Sequence, residues 1–378
     1  MFVTAHMTLA SESAFKMASS LALRKNTVTR EIHEKKWAVF CRVIDNHGDI
    51  GFAWRLAAQL AASRQTVTLF VDDASALAWM APLGHPRVEI QPWPNEHAPV
   101  PVEDLHDVVI EAFGCELPVA WQAAMAAAPL PPVWVNVEYF SAEAYAIRNH
   151  GLPSPVLSGP ATGLTKWFYY PGLDAQSGGL LSRTCPSDAS RTAARRNLRI
   201  SVFCYEPAGM AQWLTQLAQQ QHAGSELFVT AGRATKAVQL ALQTLPPGTA
   251  HALKLHDVAA MPQDDYDLFL SSMDLNLVRG EDSLVRAMHA GKPLLWQIYP
   301  QNDGAHWKKL NVFLERTKAP PVVVQSHLAW NSETPKALPE LTAPALAEWA
   351  TWVADIQRRL AQQTGLAERL RAFVAAKG

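Results

Sequence analysis

The chain has 378 residues, of which 49% are hydrophobic and 18% are charged, and its 33 Lys and Arg nearly balance its 34 Asp and Glu. This composition is typical of a globular protein in water and excludes a disordered chain, collagen and a coiled coil. The net charge of -1 provides no general positive field for binding nucleic acid or an anionic membrane. At roughly 100–200 residues per domain, the length predicts two or three domains, and hence a cleft between domains.

The N-terminal segment, residues 1–34, carries mixed charges and lacks the apolar core of a signal peptide, so we expect a poorly ordered extension. Longer apolar stretches, such as residues 285–299, are interrupted by charged residues and proline before they reach the roughly 20 residues of a membrane span. The four cysteines are widely spaced and match neither a zinc site nor a redox pair. These features predict a protein of the reducing cytoplasm.

The first regular elements alternate between strand and helix. WAVFCRVI, from Trp37, predicts a strand buried on both faces of a parallel sheet, and the loop DNHGDIG follows it. The helix FAWRLAAQLAAS and the strand TVTLFVDD come next. Further strands are predicted at RVEIQPW, DVVIEAF and PVWVNVEYF, with the helix WQAAMAAA among them. This order predicts a doubly wound α/β domain with right-handed crossovers.

A second alternation follows a connecting region. Residues 151–196 are rich in Pro, Gly, Ser and Thr, with one strand predicted at KWFYY. LRISVFCYE, SELFVTAG, HALKLHDV, DLNLVRG and PLLWQIYP are predicted strands, AQWLTQLAQQ and SLVRAMHAG predicted helices, and one or two helices end the chain after Ala343. The predicted fold class is α/β of GT-B type, with two Rossmann-like domains facing each other across a cleft. Nucleotide-sugar epimerases and other two-domain α/β proteins share this outline.

The first candidate site is the loop DNHGDIG, at the carboxyl end of the first predicted strand, where open α/β sheets bind ligands. Gly48 and Gly51 permit a tight turn, and the carboxylates of Asp45 and Asp49 can converge on one donor group. Asp49 has a second interpretation, as the cap of the helix that begins near Ile50. The loop lacks G-x-G-x-x-G, which argues against a nicotinamide or flavin enzyme.

The second candidate site lies between a strand and a helix in DLNLVRGEDSLVRA. It contains Arg279, Gly280, Glu281, Asp282 and Ser283. Free amides at a helix N-terminus bind phosphate, and Arg279 can add a charge-assisted contact to a diphosphate. The alternative is an Asp/Ser cap beside a surface pair of arginines, and spacing alone does not separate these two interpretations.

Several stretches of the chain together resemble the bacterial protein-arginine rhamnosyltransferases that modify elongation factor P, the EarP family. They are DNHGDIGFAWRLAAQLA, FCYE, PQDDYD, VRGEDSLVRA and GKPLLWQIYPQ, and the resemblance runs from about Trp37 to the C-terminus. It implies a metal-independent, inverting enzyme of GT-B fold, located in the cytosol. Such an enzyme moves L-rhamnose from dTDP-β-L-rhamnose to one arginine of elongation factor P and relieves ribosome stalling at polyproline. The resemblance implies no cofactor, no membrane and no nucleic-acid partner.

The resemblance also implies catalytic roles for three carboxylates. Asp49 corresponds to the catalytic carboxylate, Asp45 to its partner, and Glu281 to an acidic residue that faces the sugar and acceptor from the other domain. Acidic residues suit this task, because the arginine side chain has a pKa above about 12 and its proton must be drawn off as the new bond forms.

The donor nucleotide-sugar is expected to bind a second group of residues. By resemblance this group comprises Phe203, Tyr205, Gln263, Tyr266, Arg279, Gly280, Asp282 and Ser283. Gln263 corresponds to the residue that recognises the thymine edge, and Tyr266 to an aromatic that stacks on the base. Ala260 stands where a second stacking aromatic is expected, so the base would be covered on one side only, or on the other by Met261. Tyr205 and Phe203 have an alternative role as a core pair at a strand end.

These roles predict the domain organisation and leave two rival functions. Residues 36–196 are expected to bind the acceptor, with a C-terminal helix at about 360–378 completing that domain, and residues 197–358 to bind the nucleotide-sugar. One rival is a nucleotide-sugar epimerase or hydrolase of GT-B fold without a protein acceptor. The other is a noncatalytic module that binds a translation factor or RNA, and the near-neutral charge argues against RNA.

Overall fold

A computed structural model describes residues 34–44, 47–183, 197–219 and 224–378. Asp45, one of the predicted catalytic residues, lies outside the described residues, as does the predicted extension apart from Glu34. Residues 35–378 form one compact unit, which contains two separate sheets. The domain boundaries within this unit stay a prediction.

The first sheet is built by the alternation that the sequence predicts, with two additional short α-helices and one additional short strand. Its elements are β1 (Lys36–Cys41), α1 (Gly48–Ala62), β2 (Thr66–Val71), α2 (Leu77–Met80), β3 (Val88–Pro92), β4 (Val108–Ala112), α3 (Val119–Ala127), β5 (Val133–Val137), α4 (Ala144–Asn149), β6 (Pro153–Pro155) and β7 (Thr165–Tyr169). The strand order is β3-β2-β1-β4-β5-β7-β6, and only β6 runs antiparallel to its neighbour among the described strands.

Alternate residues of β1 enter different cores on the two faces of this sheet. Trp37 and Val39 pack with the helix α1, whereas Ala38 and Phe40 pack with the aromatic side chains beneath α3. A strand buried on both faces must be apolar at nearly every position, which is why WAVFC is a continuous apolar run.

The second sheet has five parallel strands in the order β10-β9-β8-β11-β12. Its elements are β8 (Arg199–Val202), α5 (Met210–Gln219), β9 (Glu226–Thr230), α6 (Arg233–Gln243), β10 (Lys254–Val258), α7 (Gln263–Ser271), β11 (Leu275–Arg279), α8 (Gly280–Ala290), β12 (Leu294–Gln297), α9 (Ala305–Arg316), α10 (Pro321–Trp330), α11 (Ala343–Ala361) and α12 (Leu366–Ala375). The two parallel sheets confirm the predicted α/β class. Helices α9 and α10 were not predicted from the sequence.

The strand order reverses direction once in each sheet, and this reversal positions the candidate sites. In the first sheet the chain leaves β1 toward β2 on one side and later returns to β4 on the other; β8 has the same relation to β9 and β11. Loops on the two sides of such a switch point diverge and leave a crevice at the carboxyl ends of the strands. Both candidate loops, after β1 and after β11, lie at such ends.

The last two helices pack in different cores. Trp349, Trp352 and Val353 of α11 are buried in the core of the second sheet, whereas Leu366 and Leu370 of α12 are buried in the core of the first. The chain thus returns to the first sheet at its end, which ties the two sheets together. Among the described helices, none combines the length and apolar character needed to cross a membrane.

Candidate active site

A cleft of about 850 Å³ lies where the carboxyl ends of the two sheets meet. The described residues that line it come mainly from segments at or after the ends of β1, β2, β4, β5 and β7 of the first sheet and of all five strands of the second. The predicted site residues on its wall are Asp49, Phe203, Gln263, Tyr266, Arg279, Gly280, Glu281, Asp282 and Ser283. The structure therefore brings the two candidate loops, which are far apart in sequence, to one cavity.

Asp49 lies in the first turn of α1 and is only 3% exposed. Its Oδ2 accepts a hydrogen bond from the Ile44 N–H at 2.9 Å, and its Oδ1 accepts one from the Tyr139 hydroxyl at 3.0 Å. The N-cap position belongs to His47, whose side chain makes no cap bond to any described residue. The interpretation of Asp49 as the helix cap is therefore wrong, and among the described residues its carboxylate accepts from Ile44 and Tyr139 at the cleft wall.

Tyr139 is a cleft residue that the sequence analysis missed. Its ring stacks on Phe113, with ring centroids 3.9 Å apart and planes 6° from parallel. Burial raises the pKa of the Tyr139 hydroxyl far above its usual value, and the charge of Asp49 adds to this effect. The hydroxyl therefore stays protonated and donates. The available signal was positional, because Tyr139 follows β5 at the same sheet edge as Asp49.

Glu281 is paired with Lys309, which the sequence analysis also missed. The Lys309 ammonium donates to the Glu281 carboxylate, and both side chains are partly buried on the cleft wall. Lys309 belongs to α9, which was not predicted. The ion pair limits the rotation of Glu281 beside the first residues of α8.

Arg279 occupies the N-cap position of α8 and is fixed by aromatic rings. Its guanidinium carbon lies 4.6 Å from the ring centroid of Phe203 and 4.7 Å from that of Tyr205, and its Nη1 donates to the Cys204 carbonyl at 3.4 Å. Tyr205 itself is 2% exposed and is absent from the cleft wall that the described residues form. The structure thus places Phe203 and Arg279 at the cleft and Tyr205 in the core beside them.

The beginning of α8 forms a polar end of the cleft. Gly280 has a φ of 62°, a left-handed conformation that glycine adopts without strain, and its carbonyl accepts from the Trp296 indole at 2.7 Å. The Ser283 hydroxyl donates to the Arg279 carbonyl. The N-cap residue makes no side-chain cap bond within the described chain, and Arg286 is buried, so the alternative of a capped helix with two surface arginines is wrong. A helix N-terminus without a side-chain cap attracts anions.

Gln263 and Tyr266 are held by Arg286, a residue to which the sequence analysis gave no role. Arg286 donates to the side-chain oxygen and the backbone carbonyl of Gln263, and to Asp267 at 2.7 Å. Its guanidinium carbon also lies 4.7 Å from the ring centroid of Tyr266. The Tyr266 hydroxyl is buried without a hydrogen-bond partner in the described part of the chain. Burial also raises the pKa of this hydroxyl.

Helices α1 and α8 are in contact beside the cleft. Arg55 of α1 donates to the carboxylate of Asp282, so this predicted donor-binding residue already has a cationic partner. A Cβ atom built on Gly51 would lie 3.0 Å from the side-chain nitrogen of Gln263, so the absence of a side chain at Gly51 permits this approach.

The remaining predictions from the sequence concern the residues that would cover the thymine base of the donor and the independence of the site from metal ions. Ala260 and Met261 both line the cleft. Within residues 34–44, 47–183, 197–219 and 224–378, no group of three or more His, Cys, Asp or Glu side chains is arranged to hold a metal ion.

Two doubly wound parallel sheets with one cleft at their carboxyl ends define the class of this protein, a GT-B glycosyltransferase. A spinosyn rhamnosyltransferase, SpnG, solved with thymidine diphosphate, has this fold, with a TM-score of 0.52, 13% identity, and 89% of this chain and 99% of its own covered.

The chain belongs to the family described as elongation-factor P (EF-P) rhamnosyltransferase EarP, which matches residues 37–375. The protein-arginine rhamnosyltransferase of Pseudomonas aeruginosa is 43% identical over 311 residues, which are 74% of this chain and 81% of that protein. A solved structure described as the basis for EarP-mediated arginine glycosylation of translation elongation factor EF-P has a TM-score of 0.60 and 25% identity; the match covers 91% of this chain and 100% of that one. The family predicted from the sequence motifs is thereby confirmed.

Proposed function

We propose that this protein transfers L-rhamnose from dTDP-β-L-rhamnose to an arginine side chain of elongation factor P, with inversion at the anomeric carbon. The observation that carries the proposal is the cleft itself: the buried Asp49 carboxylate lines the same cavity as Arg279 and the N-terminus of α8. A carboxylate for a cationic acceptor and an anion site for a diphosphate are the two groups that this reaction needs. Membership of the EarP family supports the same conclusion.

The acceptor chemistry explains the carboxylates. In a single displacement, a guanidinium nitrogen attacks C1 of rhamnose as the bond between C1 and the diphosphate oxygen breaks. The nitrogen loses a proton in the same step, and Asp49 is the proposed recipient. Glu281, held by Lys309, is proposed to orient the guanidinium or the sugar from the other side of the cleft. Asp45 is proposed as the partner of Asp49.

The donor chemistry explains the basic and polar groups. The departing dTDP gains negative charge on its diphosphate, which Arg279, the first amides of α8 and Ser283 are proposed to stabilise. No metal ion is needed in this proposal, because a guanidinium and a helix N-terminus provide positive potential at the same place. Gln263 and Tyr266, with Phe203, are proposed to hold the thymidine. The reaction is proposed to take place in the cytoplasm, where the acceptor functions in translation, without a membrane or nucleic-acid partner.

Mass spectrometry of the acceptor tests this proposal. Cognate elongation factor P is incubated with the enzyme and dTDP-β-L-rhamnose, and the intact protein and its peptides are measured. We expect a gain of one deoxyhexose on a single arginine, and no gain when donor or enzyme is omitted or when that arginine is replaced by lysine. An unmodified acceptor, with donor binding established by calorimetry, would contradict the acceptor assignment. Consumption of the donor without any protein product would favour the epimerase or hydrolase.

A further inference from the structure

Among the described residues, two donors that are far apart in sequence contact the Asp49 carboxylate. The Ile44 N–H donates to Oδ2 at 2.9 Å, and the Tyr139 hydroxyl donates to Oδ1 at 3.0 Å. One bond on each oxygen fixes the plane of the carboxylate.

The Tyr139 side chain is itself held by aromatic packing. It is 36% exposed, and a tyrosine this exposed would ordinarily have rotational freedom. Its ring stacks on Phe113 at 3.9 Å between centroids, and Phe113 contacts Phe52 of α1 at 5.0 Å. Phe52 follows Asp49 by one turn of the same helix, so the carboxylate and the ring that supports its donor are fixed to a common element.

Phe113 reaches Tyr139 through a strained turn. Its φ is 60°, a region that bulky residues rarely adopt, and the next residue, Gly114, has a φ of 66°. The Phe113 N–H donates to the Val137 carbonyl at 2.8 Å, and the Gly114 N–H donates to the Asn136 side chain at 3.0 Å. These bonds to β5 maintain the turn. Strained backbone of this kind is concentrated at functional sites, where the surrounding structure stabilises it.

From this geometry we infer that Tyr139 is a positioning residue, which orients the Asp49 carboxylate toward the acceptor guanidinium. The inference rests on the proposed function of Asp49 as proton acceptor. Tyr139 acts through Asp49 and takes no part in bond making. Its loss should therefore slow the chemical step and leave the binding of donor and acceptor unchanged, because the groups that bind dTDP lie on the second sheet.

The variant Tyr139→Phe removes the hydroxyl and retains the ring that stacks on Phe113. We expect kcat to fall about tenfold, as for the loss of one charge-assisted hydrogen bond in the transition state, with both KM values and the dTDP affinity within about twofold of wild type. Tyr169→Phe is the matched control, because its buried hydroxyl donates to the Gly178 carbonyl at 3.1 Å outside the described cleft wall. This control should retain full kcat.

A second variant tests the aromatic support. Phe113→Gly removes the ring, and glycine accepts the left-handed backbone, so we expect a fall in kcat with unchanged dTDP affinity. Combined with Tyr139→Phe, it should cause less than the product of the two separate effects, because both act on one carboxylate. An unchanged kcat in Tyr139→Phe overturns the inference, as does a parallel loss of dTDP affinity, which would indicate a general structural role.

Failure of the proposed function is distinguishable from failure of this inference. If the wild-type enzyme transfers no rhamnose, the proposed function fails. The coupling between Tyr139 and Asp49 is then measured by urea unfolding of Tyr139→Phe, Asp49→Asn and the double variant. Tyr139 orients Asp49 if the double variant loses less stability than the sum of the single variants, and strict additivity overturns the inference.

Discussion

Arg55 of helix α1 donates a hydrogen bond to the carboxylate of Asp282 in helix α8, and the two side chains are 4% and 15% exposed. This ion pair joins a helix that packs on the first sheet to a helix that packs on the second. The Nε atom of Arg55 is buried and has no hydrogen-bond partner among the described residues. A buried arginine with an incomplete set of acceptors depends strongly on the carboxylate to which it is hydrogen-bonded.

Arg55→Met should therefore destabilise the protein markedly. The substitution leaves the Asp282 carboxylate largely buried without its cation, and we expect the free energy of unfolding in urea to fall by about 3 kcal/mol. Arg358→Met is the control, because it breaks an exposed pair with Asp355 and should cost less than about 1 kcal/mol. Equal losses of unfolding free energy in the two variants would show that the buried Arg55–Asp282 pair stabilises the protein no more than an exposed pair does.

Substitutions at two glycines of α1 should have different effects. Alanine is more favourable than glycine in a helix by about 1 kcal/mol. Gly48→Ala should gain part of this free energy of folding, since a Cβ atom at position 48 meets no described atom within 4 Å. In Gly51→Ala the new methyl group lies 3.0 Å from the side-chain nitrogen of Gln263, which Arg286 holds in place. We expect Gly51→Ala to unfold at a lower urea concentration than Gly48→Ala, and the reverse order would contradict the close approach.

Asp49→Asn should separate turnover from donor binding. The amide has nearly the shape of the carboxylate but is a poor proton acceptor, so we expect transfer to slow by at least about 100-fold. The affinity for dTDP, measured by calorimetry, should stay within about twofold. Asp72→Asn is the control, since the Asp72 carboxylate also accepts a loop N–H, from Val43 at 2.9 Å, outside the described cleft wall. Normal turnover in Asp49→Asn would remove Asp49 from its proposed role.

Arg279→Ala should weaken dTDP binding. The substitution removes the guanidinium proposed to contact the diphosphate, and we expect calorimetry to show an affinity at least about tenfold lower, as for a lost charge-assisted contact. Arg233→Ala is the matched control: its guanidinium carbon lies 4.8 Å from the ring centroid of Tyr205, but Arg233 is outside the described cleft wall. Equal effects in the two variants would favour a change in the packing of Tyr205 over a lost phosphate contact.

The buried His327 should make the protein less stable in acid. Its Nε2 accepts from the Trp296 N–H at 3.1 Å and its Nδ1 lies 2.8 Å from the Val323 carbonyl, so the imidazole is neutral. Burial lowers the pKa of His327 from its ordinary value of 6.5 to about 4. Between these values the unfolded chain binds a proton that the folded protein does not. The contribution of the neutral His327 to the free energy of unfolding is therefore fully present above pH 6.5 and declines as the pH falls toward 4.

The measurement is urea unfolding at several pH values across that window. One such histidine contributes a slope of at most about 1.4 kcal/mol per pH unit. His327→Gln should have a smaller slope by up to this amount, whatever its absolute stability. Other histidines whose pKa values burial also lowers, among them His47, His106, His150 and His289, contribute to the remaining pH dependence. An unchanged slope in His327→Gln would mean that His327 is protonated alike in both states.

The tertiary structure corrected or extended the predicted site at particular residues. Asp49 and Arg279 were found from sequence because each follows a recognisable strand, and the ends of parallel strands collect at one edge. Tyr205 follows a strand in the same way, yet its ring turned into the core beside Arg279. The position of a residue after a strand predicts at which edge of the sheet it lies, but the direction of its side chain depends on the residues that pack around it.

Local patterns in the sequence by themselves determined the two α/β alternations, the strand-end loops and the family motifs, because hydrophobic periodicity and turn residues act over a few neighbouring positions. Only the tertiary structure decided which distant groups meet. Tyr139 is 90 residues from Asp49, and Arg55 is 227 residues from Asp282. Such pairs leave no local signal, because they depend on how two sheets and their helices pack together. The orientation of the predicted carboxylates was therefore a property of the folded protein alone.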